Sequence, residues 1–159
     1  MLDRPVKLAY LWLRTLELKR FSANAKRAKE IQHQILFAKI RRHAYSRFGV
    51  DHGFSDIRSI EEFRKRVPIA NYEYYRPYIE QVKQGQVSAM FGAGTKLIMF
   101  AMTSGTTDKS KFIPVTQESF DEYRHGWNLW GVGTYRDHPD LVYKKTLKLG
   151  SNWQQSFTE

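Results

Sequence analysis

Six consecutive apolar residues, Leu97 to Met102, run directly into a turn that is crowded with hydroxyl groups. A short apolar run bounded by turn residues is typical of a buried β-strand. A second short strand is predicted from Lys111 to Val115, so two strands would enclose the turn. The chain must therefore fold into a structure that carries a polar, glycine-containing loop at the end of a strand.

This turn, residues 103–111 and called the hydroxyl loop below, has the chemistry of an anion-binding site. Its hydroxyl groups can donate hydrogen bonds to phosphate oxygens, and its glycine lets the backbone approach a ligand closely. Successive backbone N–H groups in such a turn can form an anion-binding nest, and Lys111 or Lys109 supplies positive charge. We therefore predict a phosphate-binding site, the alternative being an ordinary polar loop with a surface lysine. The candidate site residues are Thr103, Ser104, Gly105, Thr106 and Thr107, with either Lys109 or Lys111 as the cation.

Other phosphate-binding and catalytic patterns are missing from the sequence. There is no G-x-x-x-x-G-K-[ST] motif, which excludes a P-loop nucleotide hydrolase. The Gly92-Ala93-Gly94 segment precedes a strand, whereas a dinucleotide-binding motif follows one, so we interpret it as a turn. Cysteine is absent, which excludes a disulfide scaffold, thiolate metal sites and cysteine catalysis. The five histidines show no ligand spacing, so no metal site is predicted.

Positive charge is concentrated in the first third of the chain. The 159 residues carry a formal net charge of +10. Residues 1–47 hold 12 basic and 3 acidic side chains, a net charge of +9, whereas residues 48–159 hold 14 and 13. This basic helical segment could bind nucleic acid or an anionic membrane surface, or it could be the solvated face of helices that pack onto a core.

No apolar run in the sequence is long enough to span a bilayer, which takes about 20 residues. We therefore predict no transmembrane segment and expect a cytoplasmic protein.

Two helices are predicted for the basic segment from apolar spacing and capping residues. One is expected over residues 6–18, and Ser22 would begin the second, over residues 23–47. Residues 48–54 are predicted to break the helical pattern with a turn-rich segment. The apolar stripe of the second helix comprises Ala28, Ile31, Ile35, Leu36, Ile40 and Ala44.

Two further helices are predicted between residues 59 and 85. Ser59 and Glu62 have the spacing of a capping box, and this short helix is expected to end near Val67. Asn71 is predicted to begin a longer helix that stops at Gly85. Its aromatic and apolar side is interpreted as packing surface, made of Tyr72, Tyr75, Tyr78 and Ile79.

The C-terminal part is predicted to contain one capped helix and one more strand. Thr116 would cap a helix over residues 117–130, and the strand is expected within residues 141–149. Three titratable residues on one face of the helix are interpreted as solvent-exposed, with an acid–base group as the alternative: Asp121, Glu122 and His125. Three tryptophans are expected in the core, namely Trp127, Trp130 and Trp153.

The hydroxyl loop also carries a family resemblance. It resembles the phosphate loop of the adenylate-forming enzymes, whose pattern is T-S-G-[ST]-T-G-x-P-K-G. Three departures from that pattern, together with two upstream segments, resemble one branch, the Gretchen Hagen auxin-responsive family of acyl acid–amido synthetases. The resemblance runs from about Ala44 to about Thr134. The departures and segments that carry it are Asp108, Ser110, Phe112, residues 54–69 and residues 76–79.

This resemblance implies an ATP-dependent ligase. In that family a carboxylate attacks the α-phosphate of Mg-ATP to give an acyl-adenylate and pyrophosphate, and an amine then attacks the acyl carbon. A small carboxylic acid and an amino acid would be the substrates, with ATP and Mg²⁺ as cofactors. By the same resemblance, hydroxyls of the loop would hold the β- and γ-phosphates and Lys111 would offset their charge. No catalytic residue is assigned, and no nucleic-acid partner is expected.

The resemblance also sets the expected fold and domain organisation. The fold class is α/β, or α+β within this chain, with N-terminal helices followed by an incomplete part of the large-domain sheet of adenylate-forming enzymes. Residues 1–159 would form a partial N-terminal, ATP-binding domain. We expect a truncated piece of a longer ligase, which need not be active alone. Two other hypotheses stay open: a non-catalytic basic helical module, and a fragment that needs a missing half or a partner chain to fold.

Overall fold

The computed structural model describes residues 4–103, 111–145 and 147. Within these residues the chain forms helices first, then a β-hairpin and one more long helix, which confirms the α+β fold class. The α-helices are α1 (Arg4–Ala25), α2 (Ala28–Arg42), α3 (Arg47–Asp51), α4 (Ile60–Arg66), α5 (Tyr72–Lys83) and α6 (Gln117–Asp137). The strands are β1 (Leu97–Met102) and β2 (Phe112–Thr116), and short 3-10 helices occupy Phe54–Asp56, Val87–Ala89 and Pro139–Tyr143.

The first two helices divide at a different place from the predicted one. α1 continues past Ser22, which therefore does not begin the second helix. No glycine or proline stands between Pro5 and Gly49, so no residue with a strong tendency to end a helix lies near Ser22. The chain turns at Lys26 and Arg27, and α2 begins at the next residue.

The segment predicted to break the second helix contains a short helix of its own. α2 ends at Arg42, before the predicted limit at residue 47, and α3 follows. Ser46 begins α3: its hydroxyl accepts a hydrogen bond from the Gly49 N–H at 3.0 Å and donates one to the His43 carbonyl at 2.7 Å. Serine is a preferred residue at this position, so the sequence did contain a signal for α3.

The next two helices begin where their capping residues predict. The Ser59 hydroxyl accepts from the Glu62 N–H at 3.1 Å, and the Glu62 carboxylate accepts from the Ser59 N–H at 3.2 Å. The Asn71 side chain accepts from the Glu73 N–H at 3.1 Å, and α5 ends two residues before Gly85. The predicted starts of α4 and α5 are therefore confirmed. The capping side chains bind N–H groups at the helix start that have no carbonyl partner within the helix.

The two strands form an antiparallel hairpin. Met102 lies opposite Phe112, and β2 begins one residue later than predicted. The prediction of a buried β1 is wrong, because Ile98, Met99 and Met102 are 42%, 49% and 47% exposed. Helix α5 contacts β2, and no third strand lies beside the pair within the described residues, so much of β1 is open to solvent.

Helix α6 is longer than predicted. Thr116 caps it as expected, and its hydroxyl accepts from the Ser119 N–H at 3.2 Å. The helix continues beyond the predicted end at residue 130 and lies against α1, with Leu129 and Val132 buried. Packing on α1 therefore extends a helix whose later residues, several of them glycine, have a weak local preference for it.

The prediction that Trp127 and Trp130 lie in the core is wrong. Their side chains are 52% and 64% exposed, and their rings form a T-shaped pair with centroids 5.2 Å apart. Leu129 and Val132 are buried in their place, because a helix that packs on one layer buries a single face. Trp153 lies outside the described residues.

The predicted strand within residues 141–149 is also wrong where the chain is described. Residues Pro139–Tyr143 form a 3-10 helix, and residues 144, 145 and 147 are not in a strand. Proline at the start of a helical turn has a backbone angle that suits the turn and needs no hydrogen bond from its nitrogen.

The core centres on α2. Phe37, which the predicted stripe omits, is buried there together with Ile40 and Ile57. Ile35 of the predicted stripe is 48% exposed instead. The half-buried residues that pack around this centre are Leu36, Phe54, Ile60 and Phe63.

The turn before β1 is packed against the end of α2. The Gly92 N–H donates to His43 Nδ1 at 2.8 Å. A Cβ atom on Gly92 would lie 2.0 Å from the Arg42 carbonyl oxygen, which is far too close for any side chain. The predicted turn at Gly92-Ala93-Gly94 is therefore confirmed, and backbone contact with α2 holds it.

We expect Gly92→Ala to lower the free energy of unfolding by about 1–3 kcal/mol, because the added methyl group forces the turn away from α2. Gly126→Ala is the matched control, since a Cβ atom there meets nothing within 4 Å. This control is expected to stabilise α6 by about 0.5–1 kcal/mol. Urea denaturation measures both changes, and equal stability of the two variants would contradict the packing described here.

His43 predicts a pH dependence of stability. Burial lowers the pKa of His43 below its ordinary value of 6.5; Glu118 opposes this shift, while Arg42 and Lys39 add to it. Since the folded state takes up this proton less readily than the unfolded chain, the contribution of His43 is complete above about pH 6.5 and is lost as the pH falls. We expect the free energy of unfolding to decrease from about pH 7 to about pH 5, and to decrease less in His43→Gln. Urea denaturation at each pH checks this, and an identical slope in the variant would refute it.

Candidate functional site

The hairpin brings the two ends of the hydroxyl loop together. The Thr103 N–H donates to the Lys111 carbonyl oxygen at 3.2 Å, so the hydrogen-bond ladder continues one step beyond the strands. Both residues are exposed. The structure thus places the two outer members of the predicted site side by side. The inner four lie outside the described residues: Ser104, Gly105, Thr106 and Thr107.

Tyr72, the first residue of α5, binds the backbone at the base of the loop. Its hydroxyl donates to the Phe112 carbonyl oxygen at 3.1 Å and accepts from the Phe112 N–H at 2.9 Å. Phe112 is the first residue of β2 and directly follows Lys111. The sequence predicts Tyr72 as packing surface only, because a contact between residues 40 apart leaves no local pattern.

Lys83, the last residue of α5, lies over the side chain of the same phenylalanine. Its Nζ is 4.0 Å from the centroid of the Phe112 ring and 3.1 Å from each carboxylate oxygen of Glu80. The charge of Lys83 is therefore offset within α5. By contrast, no acidic side chain among the described residues pairs with Lys111, so its charge is available to a ligand.

Arg76 fixes the orientation of the Tyr72 ring. Its guanidinium carbon lies 5.1 Å from the ring centroid, within the range of a cation–π contact. Two nitrogens of Arg76 bind the Glu73 carboxylate, at 2.6 and 2.5 Å. Hydrogen bonding to Glu73 raises the pKa of Arg76, so the guanidinium stays charged. The tyrosine ring therefore stacks with a cation that is itself held in place.

The titratable residues predicted on one face of α6 are exposed there. Glu122 binds Lys39 of α2 at 2.8 Å, and Asp121 accepts from the Gln117 amide at 3.1 Å. His125 is likewise exposed. Both carboxylates therefore make their contacts at the protein surface, which agrees with a solvent-exposed face of α6.

Acidic residues of α6 offset part of the positive charge of residues 1–47. Arg42 and Lys39 of α2 bind Glu118 and Glu122 of α6, at 2.6 and 2.8 Å. Exposed pairs of this kind contribute about 0–1 kcal/mol each, so they orient the two helices more than they stabilise them. Binding of nucleic acid or an anionic surface by this segment stays the alternative hypothesis. Among the described helices, none is both long and apolar enough to cross a membrane.

His52 is a buried histidine with a structural role. Its Nδ1 lies 2.6 Å from the Phe48 carbonyl oxygen and its Nε2 lies 2.6 Å from the Tyr74 hydroxyl. A carbonyl oxygen only accepts, so Nδ1 carries the proton and, in the neutral ring, Nε2 accepts from Tyr74.

The part of the chain that the structure describes contains no group of three or more His, Cys, Asp or Glu residues that could hold a metal ion.

Comparison with known proteins agrees with the resemblance found in the hydroxyl loop. A family model described as the GH3 family N-terminal domain matches residues 17–159. A relative from Oryza sativa subsp. japonica, named probable indole-3-acetic acid-amido synthetase GH3.13, is 35% identical over 69 residues. That stretch is 42% of this chain and 14% of the relative, so the match spans a small part of the relative's length. No solved structure matches the chain.

The family match covers most of the chain. Residues 17–159 include α5, both strands and the hydroxyl loop that joins them. The match therefore extends well beyond the few residues of the loop motif. The chain belongs to the GH3 family and matches its N-terminal domain.

Proposed function

We propose that this chain binds the phosphates of ATP in an acyl acid–amido ligase of the GH3 family. The observation that carries the proposal is the closed base of the hydroxyl loop, where the Thr103 N–H bonds to the Lys111 carbonyl. Family membership supports it, as does a relative whose name is that of an amido synthetase. Because the match spans a small part of that relative, phosphate binding is the role proposed for these residues, and the whole reaction is proposed for the longer family protein.

The hydroxyl loop has the donors that a triphosphate needs. Ser104, Thr106 and Thr107 offer hydroxyl and backbone N–H groups, and Gly105 allows the backbone to approach the ligand. Lys111 adds a positive charge that no described acid offsets. This set fits the β- and γ-phosphates of ATP, and Mg²⁺ is proposed to arrive bound to the nucleotide.

In the proposed reaction a carboxylate oxygen of the acid forms a bond to the α-phosphorus of ATP. The bond from that phosphorus to the oxygen bridging to the β-phosphate breaks, and pyrophosphate leaves with its electron pair. The amino group of an amino acid then attacks the acyl carbon, AMP leaves, and the new amide nitrogen loses a proton. The residues of the hydroxyl loop act on the leaving pyrophosphate, whose growing negative charge fixed donors stabilise.

Substitutions in the loop are expected to weaken nucleotide binding. Lys111→Ala removes a charge-assisted contact of about 1.5–3 kcal/mol, which corresponds to roughly 10- to 100-fold weaker binding of Mg-ATP. Adding Thr106→Val, which removes a hydroxyl and keeps the branched shape, is expected to bring binding below detection. Isothermal titration calorimetry with Mg-ATP measures both variants.

Lys96→Ala is the matched control for this experiment. Lys96 is an exposed lysine that stands just before β1, at the opposite end of the same hairpin. The control is expected to bind Mg-ATP like the wild type. Wild-type affinity in the double variant, or no binding by the wild type itself, would show that the proposal is wrong.

A further inference from the structure

The hydroxyl of Tyr72 occupies a place that a neighbouring strand would otherwise fill. In an antiparallel pair, opposite residues alternate between those that exchange hydrogen bonds and those whose N–H and C=O groups point away from the partner. Thr103 and Lys111 are bonded to each other, so the next pair, Met102 and Phe112, is of the second kind. The N–H and C=O groups of Phe112 therefore point outward, and both bind Tyr72.

The single hydroxyl of Tyr72 satisfies both the N–H and the carbonyl group of Phe112. It donates to the carbonyl with its hydrogen and accepts from the N–H with its oxygen. Tyr72 is half-buried, and its ring stacks against Arg76, so the position of the hydroxyl is determined by α5. Tyr72 thus covers the open edge of β2 and holds its backbone at Phe112, directly after the end of the loop.

The side chain of Phe112 is held by the same helix. Lys83 Nζ lies 4.0 Å from the centroid of the Phe112 ring. Tyr72 and Lys83 are the first and the last residue of α5. Contacts from both ends of one helix therefore meet at a single residue, and that residue directly follows Lys111 of the predicted site.

We infer that Tyr72 is a positioning residue for the phosphate site. By fixing the backbone of Phe112 it fixes the adjacent Lys111 and, through the Lys111–Thr103 bond, both ends of the hydroxyl loop. A loop whose ends are fixed before binding loses less conformational freedom when it takes up a triphosphate, and its affinity is higher for that reason. The inference rests on the proposed function, because it concerns the same phosphates.

Tyr72→Phe tests this role because it removes the hydroxyl and keeps the ring that stacks with Arg76. We expect Mg-ATP to bind roughly 3- to 10-fold more weakly, because the two hydrogen bonds also exist before binding and only part of their free energy affects the affinity. The amide hydrogen of Phe112 is expected to exchange faster with solvent, since its acceptor is gone. Calorimetry measures the affinity, and hydrogen exchange followed by NMR measures the amide.

Tyr78→Phe is the matched control on the same helix. The Tyr78 hydroxyl donates to the Asp51 carboxylate at 2.8 Å, on the side of α5 that faces α3. Burial and the hydrogen bond to Asp51 raise the pKa of Tyr78 to about 12, so the hydroxyl is protonated at neutral pH. We expect this variant to lose stability, measured by urea denaturation, and to keep the wild-type affinity for Mg-ATP.

The outcomes separate this inference from the proposed function. Unchanged affinity in Tyr72→Phe, with weaker binding in Lys111→Ala, would overturn the positioning role and leave phosphate binding in place. Equal losses of affinity in Tyr72→Phe and Tyr78→Phe would also overturn it, because lost stability would then explain both. A wild-type chain that binds no Mg-ATP would overturn both proposals.

Discussion

The hydrogen bonds between the Tyr72 hydroxyl and the Phe112 backbone connect the helical part of the structure to its sheet. A two-stranded sheet is marginally stable in water by itself. Here helices hold the hairpin at both ends, because the Gln117 N–H at the start of α6 donates to the Lys96 carbonyl at 2.9 Å. Contacts from α5 and α6 therefore determine the position of the hairpin, and with it the positions of Thr103 and Lys111, the two ends of the hydroxyl loop.

The charged residues at the contacts between elements are paired. Cations that hold elements together are matched with acids, as in the pair of Lys83 with Glu80 and the pair of Arg42 with Glu118. Lys111 differs because no acid of the described residues pairs with it. A cation without such a partner can bind an anion, and this property supports the place of Lys111 in the proposed phosphate site.

Local signals predicted where elements begin. Ser59, Asn71 and Thr116 cap the helices that follow them, and a strand lies on either side of the hydroxyl loop as expected. The failures concern burial and helix length. Trp127 and Trp130 are exposed, β1 is largely open, and α1 runs past Ser22. The exposure of the tryptophans and of β1 depends on which surface a neighbouring element covers, and no pattern within one segment contains that information. The length of α1 is a local matter, because no glycine or proline near Ser22 ends the helix.

The sequence by itself determined the helix caps, the two strands that flank the hydroxyl loop, and the family resemblance. Capping and turn preferences act between residues a few positions apart, so they can be read along the chain. The tertiary structure alone decided which faces are buried and that Tyr72, 40 residues before Phe112, holds the base of the loop. Such a contact exists only after the chain has folded, because two distant segments must first meet before a hydroxyl can bond to a strand edge.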